Sequence, residues 1–208
     1  MADSVRVPQQ DRSRDKLERI YEVSVELLIE GGWDAVTVGD VERRSGVSRG
    51  AFYLRFPNRE ALLDYAHQRL AETVNSAHDR AFDQARAAGA TTLEAATRAA
   101  VHAIAELFRE HGRVLLRLNR GEQGGAGAGA MNRLSRDFQS VFENVIGSAP
   151  AHQAPLEFAL QLVLSMVLTE INPRVTFAEH AGRPWDTFVA ELCDTVTYYV
   201  QARIPPPV

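Results

Sequence analysis

Five arginines and no acid lie between residues 43 and 59: Arg43, Arg44, Arg49, Arg55 and Arg59. The chain as a whole carries a formal net charge of −4, so this stretch runs against the overall balance. The acids are displaced upstream, to Asp15, Glu18, Glu22, Glu26 and Glu30. Guanidinium groups at this density are suited to neutralising phosphates, the term that dominates affinity for nucleic acid. A run of arginines is more often a solvated face than a site, so the elements around it must decide between the two readings.

Other chemistries find no constellation. The six histidines, at 67, 78, 102, 111, 152 and 180, form no H-E-x-x-H motif. There is no C-x-x-C, P-loop, G-x-S-x-G or dinucleotide fingerprint, and the GAGAG at 125–129 follows no strand. No catalytic set, metal site or cofactor is expected. The single cysteine, Cys193, excludes an intrachain disulfide and reads as a small core residue. The polar N-terminus has no apolar core of a secretion signal. The longest apolar stretch, 158–168, is interrupted by Gln161 and Ser165 and reads as too short for a bilayer. A cytoplasmic protein with no membrane partner is expected.

The elements that must position the arginines are helical. Residues 1–11 read as a disordered arm. Leu17, Ile20, Tyr21, Val23, Leu27 and Leu28 form one apolar face from about residue 12 to Gly31-Gly32. Thr37 with Asp40 resembles a capping box and opens a short helix that stops at Ser45-Gly46-Val47. Ser48 caps another over 49–55 with Phe52 inward, and Asn58 begins a long helix. A capping box of Thr91 and Glu94 opens the next helix, which Gly112 should end, with a short apolar helix at 114–118. A loop is expected over 121–129, then helices near 131–146, 155–171 and 184–203, with Pro173 closing one and Pro205–Pro207 ending the fold. No alternating pattern suggests a strand. The fold class is all-α: a three-helix DNA-binding domain at 12–60 and a helical body at 61–204.

Residues 37–56 have the proportions of a helix-turn-helix, in which a tight glycine turn sets a second helix into the major groove. Gly46 supplies the turn, Val47 and Phe52 lock the second helix, and Arg49, Gly50, Tyr53 and Arg55 fall on its outer side. At this point residues 33–63, WDAVTVGDVERRSGVSRGAFYLRFPNREALL, resemble the TetR family of bacterial regulators. The resemblance covers the first quarter to third of the chain. It departs at Glu42, where a small residue is usual, so Glu42 is expected to point partly outward.

The resemblance implies DNA contacts from Thr37, Arg44, Ser48, Arg49, Gly50, Tyr53, Arg55 and Arg59, with Arg49 the best base reader because arginine–guanine pairing is the commonest specific contact. It implies a homodimer on a palindromic operator, a ligand-responsive repressor, and a small-molecule effector of unknown identity held in the body. Phe108, Phe138, Phe142 and Met166 are the pocket candidates and serve equally well as plain core. The helix at 156–171 is apolar on nearly every side and so needs cover all round. With it, Leu160, Leu164, Leu168, Phe188, Leu192 and Tyr199 are the candidates for the dimer interface. The alternative reading is a helical-bundle enzyme or small-molecule binder, which no acid, base or nucleophile arrangement supports.

Overall fold

The structure is a computed structural model that describes residues 9–118, 126–172 and 183–204. The readings at 1–8, 121–125, Pro173 and Pro205–Pro207 lie outside those residues. Among the described residues all regular structure is helical. It comprises α1 (Gln9–Gly31), α2 (Val38–Ser45), α3 (Arg49–Tyr53), α4 (Arg59–Ala87), α5 (Leu93–Leu118), α6 (Ala126–Ser140), α7 (Glu143–Ile146), α8 (Pro150–Ile171) and α9 (Trp185–Arg203), with a 3-10 turn at Trp33–Ala35.

The chain divides into two compact units. One takes it to Thr73, together with the end of α5 from Leu116, and the other holds the rest. The first unit closes over Ile20, Val23, Leu27 and Leu28 of α1, Val41 of α2, Val47, Phe52 and Phe56 around α3, and Leu62, Leu63, Ala66 and Leu70 of α4, all buried. Arg69 of α4 lies over the Tyr21 ring at 4.0 Å and pairs with Glu18 at 2.7 Å, which ties α4 to α1. The second unit is built on Phe82, Val101, Ile104, Phe138, Phe142, Leu160, Val163, Phe188, Leu192 and Val196.

Several boundaries differ from expectation for local reasons. α1 begins at Gln9, inside the stretch read as an arm. α5 runs straight through Gly112 to Leu118. Gly112 is buried, and an added Cβ there would collide with Ile171 Cδ1. The glycine is therefore kept for a close approach of α8 to α5, not for a helix stop. At the start of α5 the hydroxyl that accepts from the backbone is Thr92, from Ala95 N at 3.2 Å, one residue later than expected. α6 starts at Ala126 within the glycine-rich stretch, and a turn at 141–142 separates it from α7.

α8 begins at Pro150, a residue suited to the first helical position, rather than at 155. It is 22 residues long with a mean hydropathy of 1.5, enough by length and composition to cross a membrane, which corrects the shorter span read from sequence. A third of that span is buried within the subunit.

Candidate nucleic-acid interface

The turn between α2 and α3 is built from local rules. Thr37 Oγ1 accepts from Asp40 N at 3.1 Å and donates to Asp40 Oδ2 at 2.6 Å; the N-cap forms as expected, but the reciprocal bond of a capping box does not, because Thr37 N donates to Ala35 O at 3.0 Å. Gly46 takes φ 70° and ψ 9°, the left-handed conformation that a side chain disfavours, so α2 ends there. Ser48 Oγ accepts from Ala51 N at 3.4 Å and starts α3. Phe52 is fully buried, with Phe56 against it at 5.6 Å between ring centroids and Tyr53 edge-on at 5.3 Å. A five-residue helix has too few internal bonds to stand alone, and this aromatic anchor holds it in place.

The arginines separate into two kinds. Arg44 makes two parallel bonds to Glu30 on α1, at 2.8 and 2.7 Å. Arg55 donates to Ala51 O and to the carbonyl and hydroxyl of Ser13. Arg59 donates through Nε to Val36 O at 2.8 Å and through Nη2 to Trp33 O at 2.6 Å, and its Nη1 meets Glu60 at 2.9 Å. Arg43 pairs with Asp40 at 2.6 Å. Arg44, Arg55 and Arg59 tie separate segments of the unit together, whereas Arg43 is 68% exposed and bonds within its own helix.

Arg49 is different: its side chain is 72% exposed, with Glu42 Oε1 4.0 Å from its Nε and the Tyr53 ring centre 6.0 Å from its Cζ. A shallow groove of about 430 Å³ runs beside it, lined by Gly39, Glu42, Arg43, Gly46, Val47, Ser48 and Arg49. Glu42 is mostly covered rather than outward, and its Oε1 is buried without a hydrogen bond. The carboxylate thus lies in the wall of the groove, with the Arg49 guanidinium the nearest charge to it.

Acids tune this surface. The bonds from Arg44 hold the Glu30 carboxyl below its ordinary value. Those from Thr37, then Arg43, do the same for Asp40. The density of positive charge read from the sequence is therefore partly cancelled in three dimensions, because Glu30 of α1 and Asp40 of α2 pair with two of its arginines.

The pattern described as "Bacterial regulatory proteins, tetR family" matches residues 20–66, from the middle of α1 through the turn and into α4. That stretch of the chain is similar to the DNA-binding segment of this family. The chain's similarity to curated relatives is confined to short stretches. It is 43% identical over 49 residues to the uncharacterized HTH-type transcriptional regulator YerO of Bacillus subtilis (strain 168), covering 24% of this chain and 17% of that one. It is 33% identical over 48 residues to YvdT of the same organism, described in the same words, covering 23% and 25%. The match thus spans a quarter or less of each relative. The crystal structure of a gamma-butyrolactone receptor (ArpA like protein) superposes with a TM-score of 0.54 at 17% identity, over 88% of this chain and 99% of that one. That likeness carries the all-helical fold beyond the tetR segment.

In the second unit the residues singled out from the sequence are distributed differently from expectation. Phe138 and Phe142 are fully buried with their rings tilted at 49° and centroids 5.3 Å apart, Phe108 packs at the edge of the same core, and Met166 is exposed on α8. Leu160, Leu164, Phe188 and Leu192 are buried inside the subunit, with Leu168 and Tyr199 half-buried. The apolar side chains left uncovered on α8 and α9 are Phe158, Met166 and Tyr198, none of them singled out for an interface. Periodicity finds an apolar stripe but cannot say whether the same subunit already covers it. Burial pushes the Cys193 thiol up, as expected of a core residue. Among the described residues no cluster of His, Cys, Asp and Glu could hold a metal.

Proposed function

We propose that this protein is a DNA-binding transcriptional regulator, a ligand-responsive repressor that binds a palindromic operator as a homodimer. The observation that carries the reading is the outer side of α3, where Arg49, Gly50 and Tyr53 are exposed beside Ser48 on a helix fixed by Phe52. Arg49 reads a base edge by bidentate bonding, and Ser48 and Tyr53 contact phosphates. Arg44, Arg55, Arg59 and Thr37 already have partners within the domain and chiefly hold its shape, meeting DNA only by exchanging those bonds.

The dimer forms through the uncovered apolar side chains of α8 and α9. Phe158 and Tyr199 are in ring contact at 4.9 Å, so the two helices present one continuous patch, which a two-fold axis can pair with itself. Half-sites about one helical turn apart, ~34–36 Å, then fit a palindrome. A small-molecule effector binds within the second unit.

The test is a gel shift with the DNA upstream of the protein's own gene across a salt series. Binding that falls steeply between low and moderate salt is expected, because phosphate neutralisation releases counterions. Binding that ignores salt, or no binding to any upstream fragment, overturns the reading.

A further inference from the structure

α3 points one line of positions away from its domain. Phe52 faces inward and is fully buried. At about 3.6 residues per turn, the positions opposite it are Gly50 and Leu54, one turn apart on the same line. Leu54 extends the helical path, with φ −65° and ψ −19° and its N–H bonded to Gly50 O at 3.1 Å. Gly50 has open space where a Cβ would stand, so bare backbone is the outermost surface there. Leu54 follows it at 85% exposure, the highest of any large apolar side chain among the described residues.

An apolar side chain at the crest of a helix flanked by Arg49 and Tyr53 has to be matched to an anionic partner. Phosphates offer it nothing, since leucine neither donates nor accepts a hydrogen bond. The edges of the bases in the major groove carry one apolar group, the C5-methyl of thymine.

We infer that Leu54 is a specificity-determining residue that covers a thymine methyl group, with Gly50 letting the helix approach closely enough for it to do so. This rests on the DNA-binding reading above and adds to it a named base and a named atom. Burial of one methyl group corresponds to about a fourfold change in affinity.

The experiment selects binding sequences from a pool of randomised duplexes with the full chain. It then remakes the enriched duplex with deoxyuridine in place of thymidine, one position at a time, which removes the methyl and keeps the pairing. Wild type should lose about fourfold at one thymine in each half-site. Leu54→Ala should already have lost that factor and be indifferent to the replacement. Because Leu54 is exposed, the variant keeps its fold, checked by helical circular dichroism. If wild type and Leu54→Ala respond alike at every thymine, or wild type responds at none, the assignment of Leu54 is overturned and DNA binding stands. If no sequence is enriched at all, the regulator reading falls, and the role of Leu54 with it.

Discussion

Arg44 and Glu30 face each other through two parallel hydrogen bonds, of 2.8 and 2.7 Å, that pin α2 to α1. A forked guanidinium–carboxylate pair has a fixed geometry, so this contact fastens α2 to α1 at the surface of the domain, while buried Val47 and Phe52 seat α3. It also removes Arg44 from the pool of free positive charge. Glu30 is held below its ordinary value of 4.5 chiefly by the bond from Arg44. A carboxyl with a lowered folded-state value stabilises the fold above its unfolded value, and that contribution is lost as pH falls through the folded value. Urea unfolding of the wild type should therefore weaken from about pH 4.5 downward, and Glu30→Gln should flatten that decline. Identical pH profiles for the two proteins would show that the pair does not hold the domain.

Arg59 is the second structural arginine. Its Nε and Nη2 donate to the carbonyls of Val36 and Trp33 in the connection between α1 and α2, where Trp33 O also accepts from Val36 N at 3.2 Å. Arg59→Ala should lower stability by about 1–3 kcal/mol, the range for losing charged hydrogen bonds to part-buried acceptors. Arg59→Lys should not restore it, because an ammonium cannot reproduce the fork. Denaturant midpoints decide the matter: an unchanged midpoint for Arg59→Ala would remove the structural role.

Arg49 and Arg44 should separate in DNA binding. Arg49→Ala should relax preference at one base pair of each half-site and cost about 1–3 kcal/mol there. Arg44→Ala should leave the ratio of specific to random binding unchanged, since its side chain faces Glu30. Competition binding with enriched and scrambled duplexes measures both. Equal loss on both duplexes for Arg49→Ala would make Arg49 a phosphate contact.

The turn region was legible in the sequence because its signals are local. The Thr37 cap, the glycine at 46, the Ser48 cap, inward Phe52 and the Asn58 cap of α4, which accepts from Ala61 N at 2.8 Å, each depend on residues within a few positions of one another. What stayed illegible depends on distant partners. Nothing near Arg44 announces Glu30, and nothing near Arg55 announces Ser13, fourteen and forty-two residues away. Gly112 reads as a stop in one dimension and proves to be a clearance for Ile171. Glu42 was expected to point partly outward; its side chain is 21% exposed and its carboxylate lies in the groove wall, with Oε1 buried. Leu54 carried no periodic signal of its own, and only its exposure sets it apart.

The faces of α8 and α9 give the last prediction. Leu192 looked like an interface position by spacing, but at 4% exposure it belongs to the core of its own subunit. A glutamate there would place an unpaired charge in that core, so Leu192→Glu should lose helical circular dichroism and says nothing about association. Phe158 is 51% exposed and in contact with Tyr199 across the two helices. Phe158→Glu should leave the subunit folded, because half of the ring is in water already, and should abolish pairing by setting a charge near its symmetry mate across the two-fold axis. Sedimentation should show a folded monomer, and operator binding should drop although α3 is untouched, since one head alone engages only one half-site. A folded Phe158→Glu that remains dimeric would move the interface away from this patch. A wild-type protein that sediments as a monomer at micromolar concentration would remove the dimer altogether.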